Sequence, residues 1–360
     1  MKLSHFVIIF LSILLIVITP KFLRSDILQK NAQNNNIYSS YLITATKSAI
    51  DVAQAESQNS SLVFQNASTR TKSVDAFYQT LIRCFDYEYS TYENLVYQWV
   101  PCVFLVDTNG FYVEHGEDYT DPNGIVVTEK VLSPIQKWSK SYSPGGSEMG
   151  YEYYVEFHLD DTINVIYTNY RLGDKQRNVI NYSGYYEDVY HQILADADRD
   201  ISSMRTLDSS LEANDLNTML SSYQNFSAEK KYVIISTIQD QMEYYINSNY
   251  TTYNQNGKNQ YQFSIPQVTG LDWARLVDAP TVLAFLQGKE TEYNASLFNV
   301  YALAGSELEY DHKYYIVEVD GVKYYHTADC PHLNNDISES VYYSMERAAQ
   351  MGAYPCPDCT

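Results

Sequence analysis

The residues with the most definite chemistry lie at the carboxyl end of the chain. His326 is followed after three intervening residues by Cys330, and further on Cys356 and Cys359 stand with two residues between them. Imidazole and thiolate are the ligands zinc prefers, and two ligand pairs, each on a short loop, can grip one ion tetrahedrally. The expected metal set is therefore His326, Cys330, Cys356 and Cys359 around a structural Zn2+, because four protein ligands leave no position for water. His332 competes with His326 for the first place, but it lies beyond Cys330 and breaks the two-pair arrangement. The rival chemistry for these cysteines is disulfide or redox pairing in an oxidising compartment.

Elsewhere the sequence offers little that could react. It contains no Gly-x-Ser-x-Gly, no phosphate-cradling glycine loop and no His-Glu-x2-His. Glu114 and His115 near Asp107 could form an acid–base cluster, but a surface hairpin with satisfied polar groups is the simpler expectation. His158 and His191 are isolated, and Asp160-Asp161 reads as a turn rather than a carboxylate dyad. No catalytic residue is expected, and the chain is read as a non-enzyme. Cys84 and Cys102 are spaced so that a disulfide could pin a helix to a strand; in a reducing compartment they would be small buried hydrophobes.

The metal set needs elements to hold it. Tyr314 to Tyr325 alternates as a hairpin around Asp320-Gly321 and delivers His326 at its end. A short helix over about 340–351 would bring the chain back to Gly352, whose left-handed conformation would end it before Cys356.

These residues carry a resemblance. Gly321-Val322-x-Tyr324, His326-x3-Cys330, Ser344-x-Glu346-Arg347-Ala348-x3-Gly352 and Pro355-Cys356-x2-Cys359 resemble the Ada-type metal-binding module. That module holds zinc with four cysteines ahead of a DNA alkylation-repair activity. In it the first place belongs to the cysteine that accepts the methyl group. His326 stands there in this chain, so the resemblance implies zinc binding without that methyl transfer. Accessory zinc tails with His first, on otherwise unrelated bacterial proteins, are similar.

The formal net charge of −20 speaks against nucleic acid as a partner, because phosphate contact needs clustered Lys and Arg. With 36 Tyr against 13 Phe, and with many Asn and Ser, the composition reads as an exported, surface-exposed protein. Leu3 to Thr19 is nearly all apolar, follows Lys2, and is closed by Pro20, Lys21 and Arg24. It is expected to be an uncleaved, membrane-spanning signal anchor, with a cleaved signal peptide as the rival. The body is expected outside the cell.

The expected organisation is a transmembrane signal anchor over 1–24 and a helical stalk with polar linker over 25–72. An α+β domain over 73–185, a helical and strand-containing second part over 186–310 and a zinc-binding module over 311–360 follow. The fold class is α+β. Within the body the sequence predicts a helix over Ser73–Tyr89 with Val74, Phe77, Tyr78, Leu81, Ile82, Phe85 and Tyr89 on one face. It predicts a hairpin across Asp107-x-Asn109-Gly110 and a second at Asp160-Asp161. A long amphipathic helix over about 228–247, with Ser227 as its N-cap, carries Val233, Ile234, Ile238, Met242, Tyr245 and Ile246 inward. The run Val103 to Val113 is similar to the central hairpin of Cache-type sensor domains, and the anchor plus Tyr41–Ala55 is similar to TadE/TadG-like pilus-assembly proteins. The expected role is a bacterial envelope interaction protein, part of a pilus, secretion or conjugation apparatus, with other envelope proteins as partners. The alternatives are a Cache-like ligand-sensing ectodomain and a metal-dependent enzyme.

Overall fold

The computed structural model describes residues 33–57, 62–86, 96–142, 151–169, 178–198, 215–254, 268–289, 297–305, 314–319, 321–326, 330, 341–342 and 352–356. Over these residues the chain is a mixed α+β protein with seven helices and thirteen strands in three sheets. The anchor expected over 1–24 lies outside them. Among the described residues no helix is long and apolar enough to cross a membrane.

The first sheet is organised on β1 (Cys102–Asp107). It pairs antiparallel with β2 (Gly110–Thr120) on one side and with β8 (Thr281–Lys289) on the other. β3 (Val126–Leu132) and β9 (Leu297–Gly305) complete the order β3-β2-β1-β8-β9. All six residues of β1 are buried, which is why Val103-Phe-Leu-Val106 reads as an unbroken apolar run rather than an alternation. Because β8 joins β1, this sheet takes strands from both sides of the boundary expected at 185.

Asp107 and Gly110 face each other across the first hairpin, as the Asn-Gly signal predicts. A Cβ on Gly110 would strike the carbonyl oxygen of Gln136, whose backbone bonds to Phe111. Asp107 does more than turn the chain. Its carboxylate accepts the backbone N–H groups of Val63 at 3.0 Å, Phe64 at 2.9 Å and Thr108 at 2.9 Å.

Helices α1 (33–57) and α2 (Ala67–Cys84) cover one face of this sheet. Of the predicted stripe, Phe77, Tyr78, Leu81 and Ile82 are buried on α2, which starts before Ser73 and ends at Cys84; Val74 and Phe85 are half-buried, and Tyr89 lies outside the described residues. The stalk expectation for α1 is corrected. Leu42, Ala45, Thr46, Ala49, Ile50 and Ala53 are buried against the sheet, so this helix is core. Ser73 Oγ donates to the Ala49 carbonyl at 2.8 Å and ties the two helices together.

The other face of the sheet meets the second, formed by β4 (Trp138–Tyr142), β5 (Tyr151–Phe157), β6 (Thr162–Asn169) and β7 (Asn178–Tyr185) in sequential order. After the helical turn α3 (96–99), the remaining helices are α4 (Tyr186–Asp198), α5 (Asp215–Leu220), α6 (Tyr223–Asn254) and α7 (Gly270–Asp278). α6 packs on β1, β2 and β4, and its six predicted inward residues are all buried. It begins earlier than expected. Ser222 Oγ accepts the N–H of Asn225 at 3.3 Å, which makes Ser222 the N-cap and puts Ser227 inside the helix.

The Asp160-Asp161 turn connects β5 and β6, but Asp161 is fully buried and takes φ +63°. It forms an ion pair with Lys230 of α6, which is only 3% exposed, and accepts the Tyr223 hydroxyl at 3.2 Å. Lys230 Nζ also donates to the Leu159 carbonyl at 2.9 Å. A hairpin turn is thereby bolted to the long helix.

The third sheet, ordered β12-β10-β11-β13, is made of β10 (Tyr314–Val319), β11 (Val322–His326), β12 (Val341–Tyr342) and β13 (Tyr354–Pro355). Ile316, Tyr325 and Ala353 belong to the same core cluster as the second sheet and α6. The helix expected over 340–351 is corrected at its start, since Val341 and Tyr342 pair with Tyr314 and Tyr315 as a strand. Its remainder lies outside the described residues.

Candidate metal centre

The site grows out of the β10–β11 hairpin. Tyr315 pairs with His326 and Val319 with Val322. Gly321 takes φ +78°, the left-handed conformation that glycine tolerates best and that the predicted Asp-Gly turn demands. Burial deepens along β11: its first residues are exposed, and Tyr325 and His326 at the strand's end are both buried.

β13 supplies the other half. It runs parallel to β11, with Tyr324 opposite Tyr354 and Tyr325 opposite Pro355. The N–H of Cys356 donates to the Tyr325 carbonyl at 3.1 Å, which places Cys356 beside His326. Gly352, at φ +79°, turns the chain into this strand, as its expected left-handed conformation requires.

His326, Cys330 and Cys356 converge. Their ligand atoms all lie within 4.8 Å of one another. His326 Nδ1 is 3.2 Å from Cys330 Sγ, and Cys330 Sγ is 3.9 Å from Cys356 Sγ. A tetrahedral zinc with Zn–S near 2.3 Å and Zn–N near 2.0 Å has S···S edges of about 3.8 Å and S···N edges of about 3.5 Å. The observed separations fit that polyhedron. The three residues are 3%, 4% and 1% exposed, so an ion here would be shielded from bulk water. Three of the four predicted ligands are thus brought together in a group that could hold a metal ion. Cys359 and His332 lie outside the described residues.

The other candidates are dispersed. Glu114 and His115 point to opposite faces of β2, and Asp107 sits at the far end of β1. The surface-hairpin expectation is corrected, because Glu114 and Asp107 are 3% and 1% exposed. Glu114 accepts the Tyr78 hydroxyl at 2.7 Å and lies 3.8 Å from Lys130 Nζ. Burial raises the Glu114 carboxyl above the usual range, while Lys130 and the Tyr78 hydroxyl pull it back. Burial likewise raises Asp107 and Asp161. His158 Nδ1 sits 2.7 Å from Thr162 Oγ1, and burial lowers its pKa. Among the described residues, Glu114 links β2 to α2 and β3, and Asp107 links β1 to the segment that precedes α2.

Cys84 and Cys102 are both free thiols. Cys102 lies in the core on the sheet face away from α2, which carries Cys84. Sequence reasoning missed the Asp161–Lys230 pair; the only signal was a lysine on the inward face of α6.

No family model matches the chain, and neither a curated protein nor a solved structure matches it.

Proposed function

We propose that this chain is a membrane-anchored envelope interaction protein whose carboxyl-terminal module is stapled by a structural zinc ion. The ligands are His326, Cys330 and Cys356, with Cys359 as the fourth. One observation carries the reading: three buried residues, at the end of β11, shortly after it and directly after β13, bring their ligand atoms within 4.8 Å of one another. β12 and β13 are two residues long, too short to hold a sheet alone, and a metal that binds only the folded form supplies the missing stability. The Ada-type spacing supports zinc, and His326 in the first place argues for a staple rather than a methyl acceptor.

The apolar run Leu3–Thr19, the acidic charge and the tyrosine-rich composition support an anchored body outside the cell. Digestion of the body by protease added to intact cells tests this. Protection of the body until the cells are lysed would contradict it.

A ligand-sensing ectodomain is the second reading. It is favoured by the Asp107-x-Asn109-Gly110 hairpin at the centre of a five-stranded antiparallel sheet covered by two helices. A thermal shift of the purified body with a small-molecule panel separates the two readings, since an interaction protein should show none.

A further inference from the structure

We propose that the metal centre is also a reversible oxidation site, at which Cys330 and Cys356 close to a disulfide as the ion leaves. The inference rests on the zinc reading of the same residues. Sequence spacing alone would pair Cys356 with its neighbour Cys359. The geometry points elsewhere, because the Sγ atoms of Cys330 and Cys356 are already 3.9 Å apart.

A disulfide needs about 2.05 Å, so the two sulfurs must close by less than about 2 Å. Cys356 is positioned by its backbone bond to Tyr325, and Cys330 follows His326 closely in sequence. The Cys356 sulfur thus sits directly after β13, and the Cys330 sulfur lies 3.2 Å from His326 Nδ1 at the end of β11. Zinc also holds them as thiolates, the form that attacks an oxidant.

With hydrogen peroxide as the oxidant the step balances. One thiolate attacks a peroxide oxygen, the O–O bond breaks, and a sulfenic acid and one water form after protonation. The second thiolate attacks the sulfenic sulfur; the S–S bond forms, the S–O bond breaks, and the oxygen leaves as a second water. Two electrons pass from the two sulfurs to peroxide, and two protons are taken up. Zn2+ departs because a disulfide sulfur no longer carries the charge that bound it.

The test uses the full chain after its metal content has been measured. Peroxide is added, zinc release is followed with a chromogenic chelator, and disulfides are mapped by mass spectrometry of unreduced peptides. The expected result is one zinc released per Cys330–Cys356 disulfide, reversed by dithiothreitol with zinc rebinding. The variant Cys359→Ser should keep that disulfide, and Cys330→Ser should lose it. A Cys356–Cys359 disulfide, or sulfinic acid without any disulfide, would overturn the proposal. Absence of metal before peroxide overturns the zinc reading instead, and the disulfide map still decides the pairing.

Discussion

The backbone N–H of Cys356 donates to the carbonyl of Tyr325 at 3.1 Å, one residue ahead of His326. That bond extends the parallel pairing of β11 with β13 and joins the two halves of the candidate metal group. It fixes the register of β13 against β11, and a slip by one residue would turn the Cys356 side chain to the opposite face. Tyr325 is itself in the main core cluster, so the site is tied to the body through the residue that positions it.

Gly352 controls entry into β13. At φ +79° an alanine would cost about 1 kcal/mol of backbone strain. Because the strain falls on the folded, metal-binding form, Gly352→Ala should weaken zinc binding roughly fivefold. Competition with a chelator of known affinity measures it, and unchanged affinity would separate the turn from the site.

Glu114 should give stability a pH dependence of defined sign. Burial raises its pKa in the folded protein, against the opposing pull of Lys130, the Tyr78 hydroxyl and His115. The folded state then holds the proton more tightly than the unfolded state. That contribution is full below the ordinary carboxylate range and is lost as pH rises through the raised value. Glu114→Gln cannot titrate there and still accepts the Tyr78 hydroxyl. Wild type should therefore lose stability relative to this variant as pH climbs from the acid range towards neutrality. Urea unfolding of both proteins at several pH values reads the difference, and a constant difference would contradict the assignment.

The Asp161–Lys230 pair is buried at both ends. Removing one partner leaves an uncompensated charge, so Lys230→Ala should destabilise the fold by about 3–5 kcal/mol. The double variant Asp161→Asn with Lys230→Met removes both charges, and asparagine tolerates the positive φ. It should recover most of that loss in denaturant unfolding. Equal damage from the single and double variants would show that volume, not charge, holds the turn.

Asp107→Ala strips acceptors from the N–H groups of Val63, Phe64 and Thr108. Each unsatisfied buried donor costs about 1–3 kcal/mol, reduced wherever water can reach it. Amide hydrogen exchange at Val63 and Phe64 should accelerate markedly, while exchange in the centre of β5 stays slow. Unchanged exchange at those two amides would mean that the carboxylate does not hold the segment.

Local chemistry was legible and long-range pairing was not. The Asn109-Gly110 and Gly321 turns, the α2 stripe, the inward face of α6 and the left-handed Gly352 are written in residues close together in sequence. The grouping of His326, Cys330 and Cys356 was legible because few side-chain types bind metal ions. α1 was misread because its buried stripe is largely Ala and Thr, while Ile37 and Ile43, which look like core, are 46% and 50% exposed. The β1–β8 pairing and the Asp161–Lys230 pair join residues far apart in the chain, and no local pattern announces them. β12 and β13 are too short to carry an alternation; only their partners define them.

The most direct test of the staple is the metal content of the purified full chain, by mass spectrometry under reducing conditions, beside Cys356→Ala. Cys356 is 1% exposed and its sulfur lies 3.9 Å from that of Cys330, so its removal deletes a ligand without disturbing the surface. One zinc per wild-type chain and little or none in the variant is the expected result. A wild-type chain without zinc, or a variant that keeps it in full, would show that these residues do not form a zinc staple.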